Sequence, residues 1–111
     1  MKALFLGLSL LLSLPAAAQS QLNDIHSQLN ASEVREVVRP VSVKELRKVI
    51  LKAQRERLGI SIAGGGHSMG GQQYGKGSLH VNMGGMDKLI SVDEKRAVAI
   101  VEAGIQWPAL I

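Results

Sequence analysis

The residues able to do chemistry are concentrated in one stretch, Gly64-Gly65-Gly66-His67-Ser68-Met69-Gly70-Gly71-Gln72-Gln73-Tyr74-Gly75-Lys76-Gly77, which holds seven glycines. Consecutive residues without a Cβ let backbone N–H groups approach an anion closely, and such a concave nest suits a phosphate or diphosphate. Three named motifs can be laid over the stretch. A Walker A loop, G-x-x-x-x-G-K-[ST], is met from Gly70 to Lys76 but fails at Gly77, where a hydroxyl should hold magnesium. The dinucleotide fingerprint G-x-G-x-x-G breaks because its third glycine would fall on Met69. Gly66-His67-Ser68-Met69-Gly70 is a full G-x-S-x-G, the nucleophile elbow of α/β-hydrolases, with Ser68 as nucleophile. An elbow runs straight into a helix, yet Gly70, Gly71, Gly75 and Gly77 follow, each costing ~1 kcal/mol in a helix interior. The triad's acid and histidine are not found after the serine either. A truncated hydrolase using Ser68 and a non-catalytic phosphate-binding module both stay open as alternatives at this point.

The elements that must position this loop can be read on both sides of it. Val34, Val37 and Val38 form a short strand that stops at Arg39-Pro40, since proline has no N–H for a ladder. Ser42 and Glu45 make a capping box, opening a helix to about Leu58 with Leu46, Val49, Ile50 and Ala53 on one face. Gly59 fits the left-handed position that ends a helix. Ile60 to Ala63 reads as a strand entering the glycine loop, and Leu79, Val81 and Met83 alternate with polar neighbours as a half-buried strand leaving it, with His80 half-exposed. Leu89 to Val92 and Ala97 to Ala103 form a hairpin across Asp93-Glu94-Lys95-Arg96. Pro108 suits the first position of another helix, and Trp107 serves packing. The pattern is an α+β arrangement: β-α-β, a glycine loop, then further strands.

Composition narrows the classes. The chain has Lys+Arg 13 against Asp+Glu 9, with no dense basic patch, so nucleic acid is not a partner. The absence of cysteine removes disulfides, thiolate nucleophiles and Cys-based metal sites. Hydrophobic content of 46% excludes a disordered polyelectrolyte, and 3% aromatic content makes the core aliphatic. His26 and His80 lie too far in sequence from His67 to suggest a metal site, and Lys76 reads as a solvated loop charge. Met1-Lys2, the apolar run Ala3 to Leu14 and the small residues Pro15 to Ala18 have the three parts of a secretory signal, residues 1–18, cleaved after Ala18. A run of twelve residues is too short to cross ~30 Å of hydrocarbon as a helix. The expectation is an exported protein, periplasmic or secreted, with no membrane anchor once the signal is removed. Residues 19–32 read as a polar leader or short helix, with Leu22, Ile25 and Leu29 at helical spacing and Asn30-Ala31-Ser32 as a glycosylation sequon.

From about Glu33 to Ile111 several separated blocks carry a family resemblance. Val38-Arg39-Pro40-Val41-Ser42-Val43-Lys44-Glu45-Leu46 is similar to the opening strand and helix of the PCMH-type FAD-binding domain of the vanillyl-alcohol oxidase/berberine bridge enzyme superfamily. Ile62-Ala63-Gly64-Gly65-Gly66-His67-Ser68 resembles its pyrophosphate loop. Val81-Asn82-Met83, Met86 to Asp93 and Val101 to Trp107 resemble the strands and turn that follow. The resemblance implies FAD as cofactor. It implies backbone or hydroxyl contacts to the diphosphate from Gly64, Gly65, Gly66, Ser68 and Met69, with Gln72 continuing the wall and Gly104 beside the cofactor. It makes His67 a candidate for a covalent histidyl–flavin bond. It implies an FAD-dependent oxidoreductase acting on a small alcohol, amine or sugar lactone. No catalytic residue is assignable, because the proton-abstracting base of such enzymes lies in the substrate domain. Residues 33–111 would be the N-terminal half of the FAD domain, a fragment expected to bind FAD weakly or not at all and to lack turnover alone.

Overall fold

The computed structural model describes residues 19–111; the expected signal, residues 1–18, lies outside them. Among the described residues no helix is long and apolar enough to cross a membrane. The elements run β1 (Ser20–Leu22), β2 (Ser32–Val34), β3 (Glu36–Val38), α1 (Val43–Glu56), β4 (Ile60–Ala63), β5 (Leu79–Asn82), a 3₁₀ turn (Met83–Gly85), β6 (Leu89–Asp93), β7 (Val98–Val101) and the single turn α2 (Trp107–Leu110). The architecture is mixed α and β.

The centre is a parallel sheet in the order β3-β5-β4. The crossover from β3 through α1 to β4 skips one strand position, and β5 fills it, pairing Val38 with Val81 and Ile62 with Val81. Residues paired in register share a face. Leu79 and Val81 therefore point to the α1 side, where they join Met83 and Met86 and pack with Val38, Leu46, Val49 and Leu58. This core is aliphatic and thioether, as the composition requires. Ile50 is not in it: that side chain stays exposed, while Ala53 is buried at the contact.

Local chemistry sets the ends of α1. Glu45 N–H donates to Ser42 Oγ (3.2 Å), while the Glu45 carboxylate accepts from Val41 N–H (2.9 Å), one residue before the expected partner. At the other end the closing residue is Arg57, with φ 54°, and not Gly59. Arg57 N–H donates to Gln54 O and Leu58 N–H to Ala53 O, the paired bonds of a Schellman motif, and Leu58 then packs into the core. The helix stops early because that apolar contact outweighs the left-handed cost at Arg57.

Two expectations for the strands are corrected. First, β5 is buried on both faces, so His80 is 2% exposed and not half-exposed. Its Nδ1 lies 2.9 Å from Ser61 Oγ, which also meets Ser78 Oγ at 2.7 Å, and its ring is 5.2 Å from that of Tyr74. Parallel strands are commonly covered on both sides, and alternation of residue types does not reveal the second cover. Second, the segment read as a leader is part of the fold, with Leu22 and Ile25 lining a cavity beside Tyr74 and His80. Leu22 lies in β1, which pairs antiparallel with β2, and the chain between them folds into a turn. The helical spacing of Leu22, Ile25 and Leu29 is therefore not realised, and ordered structure begins well before Glu33. The β6–β7 hairpin forms as expected, with a bulge between Leu89 and Ser91 and Ala97 at φ 51° in its turn. Trp107, expected to pack, is 74% exposed.

Burial holds the pKa of His80 below its ordinary value of 6.5. As pH falls, the unfolded chain takes up a proton that the folded chain refuses, so stability is full above that value and is lost below it. Thermal melts should show a lower Tm at about pH 5.5 than at about pH 7.5, with the difference reduced in His80→Asn. An equal slope in both proteins would show that His80 does not govern it.

Candidate functional site

Three parallel strands end at one edge of the sheet, and each delivers a residue there. β3 ends into Arg39, β4 into Gly64-Gly65, and β5 into Asn82 and Gly84. These line a cleft of about 440 Å³ together with Asp87, Gly104, Gln106 and Ala109. A second cleft of about 410 Å³, lined by Ile62 to Ser68 and by Gln73, shares Gly64 and Gly65 with the first. Crevices at the carboxyl ends of strands are where open α/β sheets bind ligands. The wall of the first cleft is tied down by Arg39 Nη2 donating to Gly84 O (2.8 Å) and Gly84 N–H donating to Asn82 Oδ1 (2.9 Å). Gly104 closes it from the end of β7. A Cβ there would stand 1.9 Å from Met83 O and 2.8 Å from Met86 O, so two backbones meet in a space that admits no side chain.

The glycine loop leaves β4 as bends and turns, with neither helix nor strand before β5. Among the described residues the N–H groups from Gly65 to Gln73 donate to no protein acceptor, those of Gly65, Gly66, His67, Ser68 and Met69 included. Gly66, at φ 74°, turns the chain so that its own carbonyl accepts from Ile25 N–H (3.3 Å). His67, Ser68 and Met69 are exposed on the outer rim. Gln72 is also exposed, folded back over Gly70, and lies outside both clefts; its neighbour Gln73 lines the second. Gln73 is 9% exposed, donates through Nε2 to Ser68 O (2.9 Å), and leaves Oε1 buried without a partner. A buried acceptor without a donor costs ~1–3 kcal/mol, which marks Gln73 as a residue with a contact still to make. Nothing in the doublet Gln72-Gln73 distinguishes the two in sequence; only the turn at Gly71 does.

The turn between β1 and β2 clamps this loop. Asp24 is fully buried at its centre, accepting from Ser27 Oγ (2.7 Å), Asn30 Nδ2 (3.0 Å) and His26 N–H (3.1 Å). The Ser27 hydroxyl, with Asn30 and the backbone, holds the Asp24 carboxyl well below the usual carboxylate range. Around that anchor, Tyr74 OH donates to Asn23 O (2.9 Å), Asn30 Nδ2 also donates to Met69 O, and His26 Nε2 stands 3.0 Å from His67 Nδ1. The sequon asparagine thus spends its amide inside the fold. His26 and His67, 41 residues apart, are brought together, a contact that spacing did not reveal, and no group of three metal-ligating residues exists among the described residues.

A family model described as FAD binding domain matches residues 34–111. The chain belongs to the FAD binding domain family. It is also similar to L-gulonolactone oxidase from Bos taurus and from Mus musculus, each 35% identical over 66 residues, which is 60% of this chain. The chain spans 15% of the length of these relatives. The domain binds FAD, and the residues present fit that cofactor. Five unpaired amides suit a diphosphate, the orphaned Gln73 Oε1 offers an acceptor, and two clefts meeting at bare glycines leave room on either side. The hydrolase alternative is not favoured: no helix directly follows Ser68, and among the described residues no hydrogen bond joins its hydroxyl to a histidine.

Gly104 and Gly59 give opposite expectations. Gly104→Ala should destabilise the domain by about 1–3 kcal/mol, because it overpacks backbone that has little room to move. Gly59 has open space around its Cβ direction and no left-handed φ, so Gly59→Ala should be neutral or stabilise by about 0.4–1 kcal/mol. Urea unfolding of both variants checks the pair.

Proposed function

We propose that the loop from Gly64 to Met69 holds the FAD diphosphate and that the polypeptide carrying this segment is an exported FAD-dependent oxidoreductase. The observation that carries the reading is the stretch of unpaired amides that begins at Gly65, beside the carboxyl edge of the parallel sheet. An amide left without a protein acceptor finds a better one in a phosphate oxygen than in water, since the charged bond is about twice as strong as a neutral one. Gly64 and Gly65 sit between the two clefts, so one is the place for the flavin and the other for the remaining length of the cofactor. Gly104 keeps the first cleft's floor flat. Gln73 supplies an acceptor to the cofactor, with Gln72 on the outer wall and Ser68 offering its hydroxyl at the rim. His67 is the candidate for a covalent bond to the flavin.

When bound, FAD accepts a hydride from the substrate; the protein's part is to bind and orient it. The L-gulonolactone oxidase relatives favour a sugar lactone over an alcohol or amine as substrate class. Export rests on the signal pattern of residues 1–18.

The test is flavin binding by the intact polypeptide that carries this segment. Gly66→Ala forces a side chain into a left-handed residue facing Ile25, and should weaken FAD about five- to thirtyfold where ~1–2 kcal/mol of strain is relieved by distorting the loop. ADP, which has the diphosphate without the flavin, should compete. Binding indifferent to both would move the diphosphate elsewhere. Flavin fluorescence that persists on the denatured polypeptide should vanish in His67→Ala, and its retention would remove His67 from that role.

A further inference from the structure

We propose that Asn30, held by the buried carboxylate of Asp24, is a positioning residue of the diphosphate site: with Ile25 N–H it binds carbonyls of the glycine loop and so turns the loop's amides away from the N-terminal turn. The proposal rests on the reading that this loop holds a diphosphate, and it adds the element that shapes the loop. Hydrogen bonding in the loop is one-sided. No N–H from Gly65 to Gln73 has a protein acceptor among the described residues. Its carbonyls, by contrast, are held at three points: Gly66 O by Ile25 N–H (3.3 Å), Ser68 O by Gln73 Nε2 (2.9 Å) and Met69 O by Asn30 Nδ2. In a trans peptide the C=O and the N–H that follows it point in opposite directions. Fixing those carbonyls therefore aims the N–H groups of His67, Met69 and Gly70, and two of the three fixing donors belong to the turn. A carbonyl that accepts a bond also polarises its own amide, which makes the N–H a better donor.

Donor and acceptor are unambiguous at Asn30. Its side-chain amide meets Asp24 Oδ2 (3.0 Å) and Met69 O, a carboxylate and a carbonyl that can only accept, so the nitrogen must face both. Asp24 is fixed in turn. Fully buried, it also accepts from Ser27 Oγ (2.7 Å) and from the N–H groups of His26 and Ser27. Asn23 Oδ1 takes the N–H groups of Asp24 and Asn30, each at 3.0 Å, which closes the turn on itself. The turn is thus a self-satisfied mould for a loop that has few bonds of its own. Gly71 lets Asn30 approach, since a Cβ there would stand 2.7 Å from Asn30 Cβ. The cleft of about 410 Å³ is lined by Gly66, His67 and Ser68 and by no residue from 23 to 30, so the turn leaves that side of the loop open. Residues 23–30 also precede the stretch 34–111 that matches the FAD binding domain family, so this support is not part of that match.

The test compares ADP affinity with thermal stability in the intact polypeptide that carries this segment, prepared without flavin. Asn30→Ala removes the donor to Met69 O and should weaken ADP about fivefold, the worth of one net hydrogen bond, in molecules that still melt cooperatively. A merely structural role would lower the Tm and leave the ADP affinity of folded molecules unchanged, and that result overturns the proposal. If Asn30→Ala does not fold, Tyr74→Phe carries the same comparison, because it deletes only the hydroxyl that ties the loop to Asn23 O of the same turn. A loss of about two- to fivefold is expected there, and unchanged affinity again overturns the proposal. Gly66→Ala keeps the two readings apart. ADP weakened by Gly66→Ala but not by Asn30→Ala overturns the positioning role alone. ADP indifferent to both removes the diphosphate from the loop, and this proposal with it.

Discussion

Three short parallel strands stop at the same edge, and the central one is buried on both faces. Everything that binds or could react is suspended from that edge. Because β5 lies between β3 and β4, the chain leaves each strand in the same direction, and Arg39, the first glycines and Asn82 arrive within one crevice. The 3₁₀ turn after β5 brings Met83 and Met86 carbonyls against Gly104, which ties the later hairpin to the same place. A change at Leu79 or Val81 that displaced β5 would scatter the cleft, although neither residue lines it.

The glycine loop is unusual in how little it bonds to itself. Backbone N–H groups that are not satisfied internally must be met by water or by a ligand, and here those from Gly65 to Gln73 have no protein acceptor among the described residues. The absence of side chains keeps the surface accessible, at the cost of conformational entropy that the loop's own bonds cannot offset. Stability is supplied instead by contact from the N-terminal turn. The buried, ionised Asp24 acts as its hub, and the turn reaches the loop at Gly66, His67, Met69 and Tyr74. The same segment lines a cavity with Tyr74 and His80 through Leu22 and Ile25, so it meets the sheet as well as the loop.

Much of this was legible from residue order. The Ser42/Glu45 box opens the helix where it should, Ile60 to Ala63 is the strand before the loop, and the four glycines after Ser68 rule out the helix that a nucleophile elbow needs. The resemblance to FAD-binding domains rested on these blocks, and the family match covers them. The misreadings share a cause. Gly59 looked like the helix stop, but Leu58 gains more by entering the core from Arg57. Leu22, Ile25 and Leu29 looked helical, but β1 had a partner ten residues on. His80 looked half-exposed because a period of two reports which residues alternate and not whether the far face is covered.

Residue types and their spacing therefore determined the local elements and a loop whose amides must seek an anion, since both follow from what a chain can do over a few neighbours. Tertiary structure alone decided which glutamine of the pair turns inward and which glycine two backbones press upon. It alone paired His26 with His67 across 41 residues. These depend on where separate segments meet in space, and no short-range pattern encodes that distance.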